Sequence, residues 1–282
     1  MENNRNTFSG SLGFVLAAAG SAVGLGNIWR FPYLAARDGG GLFLALYIIL
    51  AVTFGFTLLI TEVAIGRRSG QGPLTAYRFF NKRWGFLGIF SFVIPYIIYP
   101  YYCVIGGWVL KYLATYVTND SHLAVGDGFF SGFITEQWQP LAFMTVFAMM
   151  CFYIVYRGVE KGIEKYSRMI MPALLLLVVF ICIYSFFISH TDPQTGVTRT
   201  GIDGLKVYFI PNLEGMTLKD ILMVALDATS QLFFSLSIAM GIMVTYGSYM
   251  KKDVNLGKAI DHIEIFDTTI AILAGMMIIP AV

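Results

Sequence analysis

The sequence predicts an all-α integral membrane protein of seven spans, with the first and sixth helices interrupted at mid-membrane. Three observations predict it. Of the 282 residues, 57% are hydrophobic and only 13% charged, too little polar surface to solvate a soluble domain of this size. Apolar runs recur at 12–36, 42–68, 86–117, 139–156, 167–189, 221–249 and 261–282; each is close to or above the roughly 20 residues a helix needs to cross the hydrocarbon core, and no period-two pattern competes with them. Two of the runs, five apart in order, carry glycine and polar side chains at their centres, which fits an inverted repeat contributing one discontinuous helix per half.

The polar start MENNRNTFSG carries a single Arg5 and is not followed by a short h-region with a small-residue cleavage site, so the first run is expected to stay as a span. Arg67, Arg68, Arg78, Lys82 and Arg83 follow the second run. Arg157, Lys161, Lys165 and Arg168 follow the fourth, and Lys251, Lys252 and Lys258 the sixth. Alternate basic loops place these connections and the N-terminus in the cytoplasm; the protein is expected in the plasma (inner) membrane. The loops 118–139 and 190–219 then face out. The formal net charge of +2 is a topology signal and does not point to nucleic acid. Cys103, Cys151 and Cys182 lie singly in apolar runs and read as small hydrophobes, not as a disulfide or metal framework.

In the first run, AGSAVGLGNIWRFP, Gly20, Gly24 and Gly26 each weaken a helix by about 1 kcal/mol relative to alanine. Alone they suit a small-residue packing face. Asn27 and Arg30 follow them, and polar groups at this depth face a partner or an aqueous path. Pro32 removes a further backbone donor. Opening near 23–26 would put free amides and free carbonyls at mid-membrane, amides suiting a carboxylate and carbonyls a cation. In the sixth run, ATSQLFFSLSIAMGIMVTYGSY has its polar groups in the same central place; the bland alternative is Ser and Thr bonding back to their own helix.

GSAVGLGNIWRFPYLAARDGGGLF, TEVAIGR, YPYYCVIGGW, KGIEKYSRMIMP and QLFFSLSIAMGIMVTYGSY together resemble the neurotransmitter:sodium symporters, above all their prokaryotic amino-acid carriers for leucine, tyrosine and hydrophobic amino acids. The resemblance covers essentially the whole chain. It implies the inverted-repeat fold of the leucine-transporter type, no enzymatic activity, and sodium-coupled symport of a neutral hydrophobic or aromatic L-amino acid by alternating access. Sodium, as one or two ions, would be the coupling ion, with no organic cofactor. The partners are the amino acid, sodium and the lipid bilayer, with no nucleic acid.

Carried over residue by residue, Gly24, Leu25 and Gly26 would offer backbone groups to the substrate carboxylate together with the Tyr102 hydroxyl. The carbonyls of Ala22, Phe234 and Ser235 and the Ser237 hydroxyl would take its ammonium. Ile98, Tyr102, Phe234 and Met240 would line its side chain, Met240 standing where the leucine carrier has phenylalanine. Sodium 1 would be held by Ala22, Asn27, Ser235 and Asp267, all oxygen donors as a hard cation requires. Gly20 and Val23 supply part of sodium 2. An ionised Asp267, where the leucine carrier has an amide, would supply the negative charge that chloride gives animal relatives near Tyr47, Gln231 and Ser235, so transport is expected to be chloride-independent.

Arg30 and Gln231 would cap the pocket outside, while Arg5, Phe8, Ser248 and Tyr249 match the cytoplasmic gate. Gly162 and Pro172 reproduce a G-x9-P pattern at which helix five unwinds in relatives. Glu62 either pairs amides freed by the opened helices or reaches toward Arg67. Asp261, His262 and Glu264 read as a helix-start cluster at the membrane surface. An intramembrane hydrolase is disfavoured, because His122 and His190 fall in outer loops and His262 at the inner edge, none placed to activate a mid-membrane serine. Relatives have about eleven or twelve spans in such a repeat fold, so residues 1–282 are expected to form one transporter domain that is truncated. The alternative is a non-transporting fragment acting as a binding or assembly subunit.

Overall fold

The computed structural model describes residues 7–126, 128–191 and 198–281. The first span consists of α1 (Ser11–Ala22), a π-helical turn (Gly26–Arg30) and α2 (Phe31–Arg37). The second joins α3 (Gly41–Leu50) through another π turn (Ala51–Gly55) to α4 (Phe56–Ser69). A short helix α5 (Pro73–Phe80) and a single 3-10 turn lead into α6 (Gly85–Val117), the third span. The connection after span three folds as α7 (Ser121–Ala124) and α8 (Phe129–Thr135) before α9 (Gln139–Tyr156) returns along α6. A π turn (Val159–Glu164) opens α10 (Lys165–Ser185). Next come β1 (Ser189–Thr191), β2 (Thr198–Thr200) and α11 (Gly201–Phe209), then α12 (Leu218–Ser235) and α13 (Ile242–Ser248), which are the two halves of span six, and finally α14 (Leu256–Ile278).

Among the described residues, five helices are long and apolar enough to cross a membrane, and α1 with the Gly26–Arg37 helix makes a sixth as a pair bent by 50°. The α12 helix is more polar because it carries Lys219, Asp220 and Asp227. The fifth helix starts at Val159 and ends at Ser185, where hydropathy put 167 and 189. Its start was hidden because Glu160, Lys161, Glu164 and Lys165 make the first turns polar. Residue 189 belongs to an antiparallel hairpin in which His190 faces Arg199, a strand pair too short for a periodicity reading to detect. Thr200 and Asp203 form a capping box at the start of α11. The Lys206 ammonium first, then Thr200, holds the Asp203 carboxyl down at about 2, so this cap stays charged at neutral pH.

The core lies where spans one, two, six and seven meet. Phe31, Phe43 and Tyr47 are fully buried and pack edge to face, Phe31 at 5.4 Å from Phe43 and 4.9 Å from Tyr47, which fixes α2 against α3. The GGG turn between spans one and two brings backbone against α11. Gly40, at φ 57°, has no room for a side chain beside the Val207 carbonyl, and it bridges to Pro211. The α13 helix packs along α4, α9 along α6, and α14 against α1 and α10. The α4–α13 contact is backbone on backbone, since a Cβ at Gly66 would meet the Val244 carbonyl and one at Gly247 the Val63 carbonyl.

One end of the bundle gathers the basic connections. Arg67 bonds the Lys252 carbonyl, Lys251 Nζ donates to the Ser9 carbonyl at 3.0 Å, and Ser9 bonds Glu164. The N-terminal segment and the loops after spans two, four and six therefore share a face.

Gly66→Val and Gly247→Val are each expected to lower the stability of the detergent-purified protein, by about 1–3 kcal/mol or more from overpacking a closed seam. A thermal melt followed by size-exclusion fluorescence checks this; Gly72→Val, at a position with open space, serves as the control.

Candidate functional site

The first break begins where α1 stops at Ala22. Val23 turns to extended backbone, φ −79° and ψ 111°, with its N–H still held by the Ala19 carbonyl. A helix end leaves its last carbonyls without intrahelical donors, so α1 ends with such carbonyls at the break. The chain re-enters helix at Gly26, and the Gly24 N–H donates to Asn27 Oδ1 at 3.3 Å. A Cβ added at Gly24 would meet nothing within 4 Å, so this glycine borders open space.

The second break follows Ser235. Ser237, Ala239 and Gly241 all have left-handed backbone, with φ of 54°, 64° and 69°. For the two non-glycine residues this costs about 1 kcal/mol or more each and persists only where the surroundings fix it. They do so here. The Ala239 N–H donates to Glu62 Oε1 of α4 at 2.7 Å, and the Ile238 and Leu236 amides return to the Phe233 and Leu232 carbonyls at 3.0 Å. Glu62 thus takes the first of its two sequence readings, pairing an amide freed by the opened helix.

Asn27, Ser235 and Asp267, together with Tyr47, meet between the two breaks, and all four are buried. Asn27 Nδ2 donates to Asp267 Oδ1 at 2.8 Å and to the Asp267 carbonyl at 3.1 Å. Ser235 Oγ lies 2.8 and 3.0 Å from the two Asp267 carboxylate oxygens and 3.3 Å from Asn27 Oδ1. The Tyr47 hydroxyl donates to Asp267 Oδ2 at 3.3 Å. One carboxylate therefore ties together both interrupted spans, α3 and α14, and the converging donors are all oxygens except the Asn27 amide nitrogen.

Beside this cluster Phe234 forms a wall. Its ring lies 6.2 Å from that of Tyr102 and 3.0 Å from where a Gly26 Cβ would stand, with the Arg30 guanidinium 5.5 Å above it. Ile98, Tyr102 and Met240 are half-buried and Ser237 is buried. Arg30 donates to Ser230 Oγ at 2.9 Å and to the Ser230 carbonyl at 3.4 Å. Gln231, its expected neighbour, turns inward instead and gives its Nε2 to the Gly26 carbonyl at 2.9 Å.

At the inner end Phe8 is buried, packed edge to face on Phe14 and Tyr246, and its N–H donates to the Tyr249 carbonyl at 3.2 Å. Ser248 donates back into its own helix, to the Thr245 carbonyl at 2.7 Å. Arg5 lies outside the described residues. Gly162 sits in the π turn, close under the Ile154 carbonyl, and Pro172 lies inside a wound α10.

One functional residue here escaped sequence reading, and one was misplaced by it. Glu164 is almost fully buried; it accepts from the Ser9 N–H at 2.8 Å and pairs with Arg168 at 2.9 Å, which in turn donates to Ser9 Oγ. The i,i+4 spacing of Glu164 and Arg168 was a legible signal, but their joint hold on Ser9 was not. Glu264 is a correction. It is buried, not part of a surface cluster, because its helix starts at Leu256 and carries it a further two turns into the bundle, where it borders a groove of about 590 Å³ between span two and α14.

A family model for the sodium:neurotransmitter symporters matches residues 5–127 and 130–282. The chain belongs to the sodium:neurotransmitter symporter family. Within that family it is 33% identical over 281 residues to the uncharacterized sodium-dependent transporter YhdH of Bacillus subtilis, covering 98% of this chain and 59% of that protein. It is 30% identical to the sodium-dependent neutral amino acid transporter B(0)AT2 of Pongo abelii, over 90% of this chain and 37% of that one. The solved structure of MhsT in complex with L-phenylalanine superposes with a TM-score of 0.86 at 36% identity, over 99% of this chain and 61% of that one. The chain therefore spans about three fifths or less of each of these symporters. Fold and family are those of a multi-pass membrane transporter, with discontinuous helices one and six, and not of an enzyme class.

Glu62→Ala is expected to destabilise the protein by about 1–3 kcal/mol, the loss of a part-buried hydrogen bond to an acidic side chain. Glu62→Gln retains a carbonyl acceptor and should lose less. Melting temperatures of the two variants against the unsubstituted protein check the order.

Proposed function

We propose that the protein works in sodium-coupled symport of a neutral hydrophobic or aromatic L-amino acid, bound between the two broken helices, without need of chloride. The observation that carries this reading is the buried Asn27–Ser235–Asp267 cluster, which joins both breaks through one carboxylate. Its oxygens suit a hard cation, and Ala22 at the end of α1 would add a carbonyl. Sodium, when bound there, would supply a fixed positive charge for the substrate carboxylate.

The residues of the chain divide the remaining work. Leu25 and Gly26 open the outer half-helix, whose amide end favours an anion. The open space beside Gly24 leaves room for the carboxylate, and the Tyr102 hydroxyl would add a donor. The Ser235 carbonyl and Ser237 hydroxyl would receive the ammonium; the Phe234 carbonyl already accepts from the Ser237 N–H at 3.3 Å and has a second lone pair for it. Ile98, Phe234 and Met240 would hold the side chain, the thioether allowing guests of different size. Gly20 and Val23 would contribute carbonyls to a second sodium. Because cation and carboxylate meet, each would strengthen binding of the other. Arg30 would close the outer side, with Gln231 holding the Gly26 carbonyl beneath it, and Phe8 and Tyr249 the inner side, with Gly162 and Pro172 allowing helix five to unwind. The basic end of the bundle, with the N-terminus, is assigned to the cytoplasmic side of the plasma membrane.

Three features support the reading: the family, the MhsT complex with L-phenylalanine, and the neutral amino acid transporter among the relatives. Binding of radiolabelled leucine and phenylalanine to the full-length protein is expected in sodium and not in potassium, with chloride replaceable by gluconate. Asp267→Asn is expected to weaken sodium-dependent binding about tenfold or more, the loss of one charged ligand, and to make what remains respond to chloride. Binding indifferent to sodium would overturn the proposal.

A further inference from the structure

Two complementary stripes face each other across the outer halves of spans one and six. Arg30, Tyr33 and Arg37 share one face of the first span, and Asp227, Ser230 and Phe234 repeat the same three-and-four spacing on α12. The stripes run antiparallel. At the deep end Arg30 reaches Ser230 and covers Phe234. At the outer end Arg37 Nη2 bonds Asp227, and its guanidinium lies 5.6 Å over the Tyr33 ring. Asp38 holds the same guanidinium in a fork, at 2.7 Å to Nε and 3.1 Å to Nη2, and Asp38 is itself buried. Arg37 is therefore preset toward α12 by its own neighbour, in the planar geometry that an arginine fork favours.

An ion pair this exposed, with 46% of the Arg37 and 30% of the Asp227 side chain accessible, adds little to global stability. Its place gives it another use. The inner ends of these two half-helices are Gly24–Gly26 and Phe234–Ser235, the segments that would receive the carboxylate and the ammonium. Any splay between the half-helices at their outer ends moves those segments apart. We propose that Arg37 and Asp227 are a positioning pair that keeps the outer halves of spans one and six one rigid unit, and so keeps the spacing of the amino-acid site. This rests on the binding reading above for its functional consequence, but not for its mechanical one.

The test uses the full-length protein with Arg37→Asp, Asp227→Arg and the double exchange, each with spin labels at Ala36 and Met223. Each single reversal is expected to broaden the label-to-label distance distribution and to weaken sodium-dependent phenylalanine binding about fivefold to tenfold; the double exchange is expected to restore both to within about twofold. Arg37→Gln and Asp227→Asn, which are gentler, should give the same direction if a reversal fails to fold. Unchanged distances in the single variants, or a double exchange no better than either single, would overturn the pair. Absence of phenylalanine binding in the unsubstituted protein would instead count against the binding reading, and the distance measurement alone would then decide the mechanical claim.

Discussion

A single buried carboxylate holds the two interrupted helices in register. Breaking a helix in hydrocarbon exposes backbone groups that have no water to turn to, so the breaks at Val23 and after Ser235 are tenable only where neighbouring spans supply partners. Asp267 does this indirectly, by fixing Asn27 on one break and Ser235 on the other, with Tyr47 as third donor. Glu62 does it directly, by accepting the Ala239 amide. Two acids on two unbroken spans thus stabilise two broken ones. The Glu62 contact also holds the left-handed backbone at Ala239.

Around this centre the ties fall into two sets at opposite ends of the bundle, assigned above to the outer and inner sides. Outside, arginines of span one meet α12 at two levels, Arg30 on Ser230 and Arg37 on Asp227, both joining the same two half-helices. Inside, the N-terminal segment is fastened to elements beyond that pair. Ser9 bonds Glu164 and Lys251, and Phe8 packs on Tyr246. The outer ties join spans one and six; of the inner ones Ser9–Glu164 reaches helix five, while Lys251 and Tyr246 belong to the inner end of span six. An opening that separates spans one and six from helix five would therefore break the Ser9–Glu164 contact while leaving the ladder between α2 and α12 intact.

The position of the first break was legible in the sequence because its cost was written locally. Glycine three times over, then Asn27, Arg30 and Pro32, has no economical place in a continuous apolar helix. The meeting of Asn27, Ser235 and Asp267 was foreseen only through family resemblance, since nothing in local spacing links residues 240 positions apart in the chain. Contacts made by ordinary surface-type residues were not legible at all. Glu164 looks like half of an i,i+4 pair until Ser9 is folded against it, and Glu264 looks like a helix-start acid until the helix is seen to begin at Leu256. Arg37 reads as a helix-end charge, and only the docking of α12 gives it Asp227.

The central claim is that the two breaks form one site for an amino acid. The most direct test is an experimental density map of the full-length protein in sodium and L-phenylalanine. The account expects the amino acid between the Gly24–Gly26 amides and the Phe234–Ser235 carbonyls, with an ion touching Asn27 and Asp267. A first helix running unbroken through residues 22–26, or an amino acid bound elsewhere with this cluster unchanged, would contradict it.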